Sequence, residues 1–207
     1  MPGRDLDGRV IVVTGGTQGV GEAIAREAAA LGAAGLALVG RSAARGEAVA
    51  TELTARGCPA RFIQADLEAV AQCRAAIAEA DAAFGRIDGL VNAAGLTDRG
   101  GILDTDEALW NRLFAVNTRA PFFLMQEAVR RMKRDGIHGA IVNVITMSSH
   151  GGQPFLTPYS ASKGALAVLT RNVAHALRRD RIRVNGINLG WTDTPGEHDI
   201  QARAHGR

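Results

Sequence analysis

The chain has 207 residues, 46% hydrophobic and 22% charged, with a formal net charge of +3. That length suits one well-buried domain, expected to span residues 1–207, and arginines scattered along it argue against a nucleic-acid-binding patch. No apolar run approaches the roughly 20 residues of a membrane span, and from the polar start MPGRDLDGR no signal peptide is expected.

Short apolar runs alternate with longer amphipathic stretches. Strands are expected at 9–15, 35–40, 60–66, 87–95, 139–146 and 182–190, where the sequence is rich in Val and Ile and most runs are nearly all apolar, as in strands buried on both faces of a parallel sheet. Helices are expected between them, at 19–32, 43–57, 68–84, 106–135 and 157–180. A series of βα units of this kind predicts an α/β fold, a doubly wound parallel sheet with helices on both faces that ends after the sixth strand. Cys58 and Cys73 have neither metal-ligand spacing nor a disulfide framework, so reduced thiols in a cytoplasmic protein are expected, with no metal.

The first strand runs into TGGTQGVG, residues 14–21, with Gly15, Gly19 and Gly21 in the spacing G-x-x-x-G-x-G. A dinucleotide pyrophosphate must approach the backbone closely at a helix N-terminus, and a Cβ at these positions is expected to hold it off. Thr17, Gln18 and Val20 of the same turn are further candidate contacts. The second strand ends in Gly40, Arg41 and Ser42, where an NAD-binding site commonly has a carboxylate for the ribose hydroxyls. Arg41, with Ser42 as a second donor, suits a 2′-phosphate, which favours NADP(H) over NAD(H). Asp66 and Leu67, closing the third strand, are placed to meet adenine; a helix N-cap is the other reading of Asp66.

YSASK, residues 159–163, holds the chain's sole tyrosine and one of its two lysines, against twenty-two arginines. Four residues apart on a helix, Tyr159 and Lys163 share a face. A free phenol has a pKa near 10, and bringing it close to neutrality needs on the order of 4 kcal/mol of differential stabilisation. A neighbouring ammonium provides part of that. The pair is the candidate acid–base centre.

The glycine turn, NAAG at 92–95 and YSASK together resemble the short-chain dehydrogenase/reductase family over about residues 8–196. The resemblance implies a Rossmann-like fold and hydride transfer between a nicotinamide and a small-molecule carbonyl or secondary alcohol. Tyr159 would move the proton, and Lys163 would bond the nicotinamide ribose. Asn117, in LFAVNTRAPF, would hold a water in a proton relay. The family serine thirteen residues before the tyrosine is replaced by Thr146, with Ser148 as substitute or assistant. Asn92, Ala93 and Gly95 would pass under the adenosine ribose. Gly190 and Thr194 match the family's motif after the sixth strand, where Leu189 replaces proline. His150, Gln153 and Trp191 would border the substrate, and a homodimer or homotetramer is implied.

Family members usually continue with a further helix and a seventh strand, so a shortened form is an expectation. Two alternatives carry other activities: a nucleotide-binding protein without turnover, and an NAD-dependent sugar or polyol dehydrogenase. Nucleotide-sugar epimerase chemistry also uses Tyr-x-x-x-Lys, with a different glycine spacing.

Overall fold

The structure, a computed structural model, describes residues 5–194 and residue 198. Six strands form one sheet: β1 (Val10–Thr14), β2 (Gly35–Gly40), β3 (Ala60–Gln64), β4 (Gly89–Asn92), β5 (Ala140–Thr146) and β6 (Arg183–Leu189). All neighbours pair in parallel, in the order β3-β2-β1-β4-β5-β6. The order reverses between β1 and β4, and a crevice opens there at the carboxyl ends of the strands.

Helices α1 (Gly19–Ala30) and α2 (Ala43–Ala55) cover one face. Ala25, Ala28, Val49 and Leu53 pack there on Ile11, Val13, Leu36 and Leu38. Helices α3 (Val70–Phe84) and α5 (Ala120–Arg134) cover the other, where Ile77, Ala80, Leu124 and Met132 meet Val12, Val39, Leu90 and Ile141. Helix α6 (Thr157–Ala176) lies on the same face as α5 and over β5 and β6. Each fully buried aliphatic side chain contributes roughly 1.5–3 kcal/mol, so these two layers hold the sheet.

Two expectations change. The stretch 106–135 is not one α-helix: α4 (Glu107–Phe114) passes into α5 through a π turn over Ala115–Arg119. The π turn adds one residue to the helical repeat, a local widening that hydrophobic periodicity does not reveal. The sixth strand, read as buried on both faces, is buried only at Val184, and Ile187 on its opposite face is 49% exposed.

One buried charge ties the two halves of the sheet at their amino ends. The Asp88 carboxylate, 5% exposed, accepts from the Val10 N–H at 2.9 Å, from Arg86 at 2.6 and 2.8 Å and from Arg9 at 3.1 Å. Burial pushes its pKa up, but the Arg86 guanidinium, the Val10 amide and Arg9 outweigh it and hold the carboxyl below its ordinary value.

Candidate active site

A cleft of about 910 Å³ runs along the carboxyl ends of β1, β4, β5 and β6. That is the volume of a nucleotide or drug-sized site. Its walls come from loops and helix starts, because a parallel sheet delivers every strand end to the same side.

The glycine turn forms one wall, with Gly15, Gln18, Gly19, Val20 and Gly21 on the cleft. The glycines are needed for reasons partly internal to the chain. Gly15 has φ +69°, and a Cβ on it would lie 2.8 Å from the Ala94 nitrogen of the NAAG loop. A Cβ on Gly21 would lie 2.2 Å from the Gly15 carbonyl oxygen. Gly19, at φ +55°, adopts the left-handed conformation, and its Cβ would meet Thr194 at 3.4 Å across the cleft. So Gly15 lets the turn pack against the NAAG loop and Gly21 lets it close on itself, while Gly19 faces Thr194. Thr17 is buried beneath the turn, against Gly40.

At the far end Arg41 lines the cleft, and so does Arg45, which sequence reasoning missed. Arg45 sits in the first turn of α2, where a cation opposes the helix dipole. That unfavourable placement was a readable signal for an anion partner. Ser42, taken as a phosphate donor, is the N-cap of α2 and accepts from the Arg45 N–H at 3.5 Å. Asp66 is not the cap of α3, which begins at Val70 after Ala69. Its carboxylate instead accepts from the Glu68 N–H at 3.0 Å, and Leu67 turns into the core. Neither Asp66 nor Leu67 lines the cleft.

Under the middle of the cleft, Ala93 and Gly95 lie on the wall, and Asn92 is buried below. Asn92 Nδ2 donates to Asn143 Oδ1 at 2.8 Å, and Asn143 Nδ2 donates to Thr170 Oγ1 at 2.9 Å. This polar thread joins β4, β5 and α6. Asn117 lies in the π turn, fully buried. Its Oδ1 accepts from the Leu96 N–H at 2.9 Å, and its Nδ2 donates to the Leu96 carbonyl at 2.9 Å and to Ser162 Oγ at 3.0 Å. The side chain therefore clamps the segment after NAAG to α6. A Cβ on Gly95 would stand 3.3 Å from Lys163 Nζ and 3.4 Å from Asn117 Oδ1, which places both near one point.

Tyr159 and Lys163 both line the cleft from the first turns of α6, which opens with Pro158 near its first position. Lys163 is 3% exposed, and its Nζ donates to the Val144 carbonyl at 2.8 Å. Among the described residues no carboxylate reaches it in an ion pair. Burial alone pushes its pKa down to about 8.

Thr146 at the end of β5 and Ser148 in the turn after it both lie on the cleft, their hydroxyl oxygens 3.1 Å apart. Gln153, Gly190, Trp191 and Thr194 also line it, whereas His150 does not. Trp191 is 63% exposed, with the Arg99 guanidinium over its ring at 5.9 Å and over Phe155 at 5.1 Å. Arg99, Arg112, Met147 and Leu156 are lining residues that no motif marked. Among the described residues no group of three metal-ligating side chains occurs, and no helix is long and apolar enough to cross a membrane.

The family model described as "short chain dehydrogenase" matches residues 9–205. The chain is 36% identical over 204 residues to the short chain dehydrogenase claC of Passalora fulva, an alignment covering 97% of this chain and 74% of that protein. It is 33% identical over 198 residues to an NADP-dependent (R)-specific alcohol dehydrogenase of Lentilactobacillus kefiri, covering 95% and 78%. The crystal structure of a blue fluorescent protein from a metagenomic library, in complex with NADPH, superposes with a TM-score of 0.82 at 36% identity, covering 89% of this chain and 74% of that one. With the glycine turn, NAAG loop and YSASK helix all on one cleft of a six-stranded parallel sheet, the chain belongs to the short chain dehydrogenase family of oxidoreductases.

Proposed function

We propose that this chain is an NADP(H)-dependent oxidoreductase acting on a carbonyl or secondary alcohol, with Tyr159 as general acid and base. The observation that carries the reading is Lys163: an ammonium buried in the cleft wall with no carboxylate partner among the described residues, one helical turn from Tyr159. A buried charge that nothing neutralises is disfavoured unless it serves a site. With its pKa lowered by burial to about 8, Lys163 keeps its proton at neutral pH. Its charge then lowers the phenol's pKa and favours the proton transfer.

The residues present suit a dinucleotide. Gly19 lies at the N-terminus of α1, where a pyrophosphate would sit, Arg41 and Arg45 flank the end where a 2′-phosphate would lie, and Gly190 and Thr194 border the nicotinamide end. When bound, the nicotinamide supplies or takes the hydride. Tyr159 gives a proton to the substrate oxygen in reduction and takes it in oxidation. Thr146 donates a hydrogen bond to that oxygen, and Gln153 and Trp191 border the substrate. NADP(H) is preferred on Arg41 and Arg45, a reading supported by the NADPH-bound structure and the NADP-dependent relative.

Residues 1–207 are proposed to act as a single cytoplasmic domain, for which two buried free thiols suit a reducing compartment. A homo-oligomer through α5 and α6 is supported by Phe122 and Val168, exposed at 37% and 48% on those helices.

Tyr159→Phe tests the mechanism: turnover of ketones falls at least about 1000-fold, while NADPH affinity stays within about 2-fold of wild type. Retained turnover would overturn the assignment of Tyr159. NADPH binding with no ketone reduced by the unmutated chain would favour a nucleotide-binding role instead.

A further inference from the structure

Behind Thr146 lies a row of hydroxyls that the reaction as proposed does not use. Ser160 Oγ donates to Ser148 Oγ at 3.0 Å, and Ser148 Oγ lies 3.1 Å from Thr146 Oγ1. The Ser148 N–H also points at Thr146 Oγ1, at 3.2 Å. Ser149 Oγ donates to the Thr146 carbonyl at 2.7 Å and fixes the turn on which these groups sit. Thr146 and Ser148 face the cleft; Ser160, next in the chain to Tyr159, lies behind them.

A hydroxyl has one proton and two lone pairs. The proton of Ser160 is committed to Ser148. Accepting that bond makes Ser148 a better donor and a poorer acceptor, because hydrogen bonds in a chain polarise one another. Its nearest acceptor is Thr146 Oγ1. That oxygen then has both lone pairs filled, one by the Ser148 hydroxyl and one by the Ser148 amide. Its own proton has a single direction left, into the cleft.

We infer that Ser160, Ser148 and Thr146 form a directed hydroxyl relay that holds Thr146 as a hydrogen-bond donor to the substrate oxygen, with Ser148 and Ser160 as positioning residues. The inference rests on the proposed oxidoreductase reading for its purpose, though not for its geometry. It also explains how a threonine serves where its extra methyl narrows the choice of rotamer. The side chain needs no freedom to search, since its acceptor sites are already taken.

Two measurements test the relay. Neutron diffraction from the deuterated full chain reads the orientations directly. Deuterium on Ser160 aimed at Ser148, on Ser148 aimed at Thr146 and on Thr146 aimed into the cleft supports the relay; deuterium on Thr146 aimed back at Ser148 overturns it.

The second is NADPH-dependent reduction of a panel of aryl and aliphatic ketones by Ser160→Ala, Ser148→Ala and the double variant. Ser160→Ala lowers kcat about 3- to 10-fold with KM and NADPH affinity unchanged, and Ser160→Thr restores it. Because Ser160 acts only through Ser148, the double variant is no slower than Ser148→Ala. Losses that multiply, or that appear in KM, overturn the relay. If the unmutated chain reduces no ketone, the oxidoreductase reading fails while the deuterium positions still decide the inference.

Discussion

Replacing Lys163 by methionine should make the protein more stable and inactive. The ammonium is buried, and its pKa falls from the ordinary 10.5 to about 8 through burial alone. That fall corresponds to about 3 kcal/mol by which the charged form is disfavoured in the native state. Methionine is of similar length and carries no charge, so Lys163→Met removes this penalty. It also leaves the Val144 carbonyl without its 2.8 Å donor, a loss of about 1 kcal/mol. The net gain at pH 7 is about 2 kcal/mol, or a Tm higher by about 4–8 °C.

The pH dependence makes the cause identifiable. Between about pH 8 and 10.5 the unfolded chain keeps a proton that native Lys163 has released, so the wild type gains stability as pH rises through that window. The advantage of Lys163→Met should therefore shrink by about 2 kcal/mol between pH 7 and 9.5. Urea denaturation of both proteins at the two pH values gives the comparison. A variant less stable at pH 7, or an advantage equal at both pH values, would refute the assignment of the penalty to the buried ammonium.

Arg41→Ala should weaken NADPH by about 10- to 100-fold, the range of a lost charge-assisted contact, and leave NADH within about 2-fold; equal losses in fluorescence titrations would make Arg41 a surface residue. Gly21→Ala forces a methyl to 2.2 Å from the Gly15 carbonyl, so the turn must open, at about 2–3 kcal/mol of stability and with loss of NADPH binding. Unchanged thermal unfolding would contradict it. Asp88→Asn should cost about 3 kcal/mol at pH 7, since Arg9 and Arg86 lose a buried partner. The Asp88 contribution is present above its unfolded pKa and disappears as pH falls through its lower native value, so acid titration should narrow the gap between variant and wild type.

Tyr159 and Lys163 were legible because their relation is local: four residues on a helix meet whatever the rest of the chain does. The strands and their parallel pairing were legible for a similar reason, since apolar runs separated by helical stretches leave few topologies. Other features depend on what lies across from a residue. Gly15 and Gly21 were identified, yet the atoms that require them belong to Ala94 and to Gly15 itself. Ser42 is expected at a phosphate because its hydroxyl can donate; its second part, as the N-cap of α2 accepting from the Arg45 amide, follows from where that helix starts. Ser160 carried no signal at all, being set by how α6 packs against the turn after β5. The open face of β6 had a signal in Arg183, Asn185 and Asn188, polar positions that a strand buried on both faces would not carry.

The Asp88 staple and the strand order bear on how the chain assembles during synthesis. The first three strands, with α1 and α2, join neighbours in sequence and can form once β3 has left the ribosome. The partner on the other side of β1 is β4, and the Val10 amide and Asp88 carboxylate that lock them are separated by 78 positions. Until β4 arrives, one edge of β1 and the side chains of Val12 and Val39 that later share a core with Leu90 wait uncovered. Pairing of parallel strands so far apart is slow, since loop closure precedes any gain from contact. The yield of folded protein should therefore depend on chain concentration and on chaperones that shield the half-built sheet, even though the finished molecule hides that interval completely.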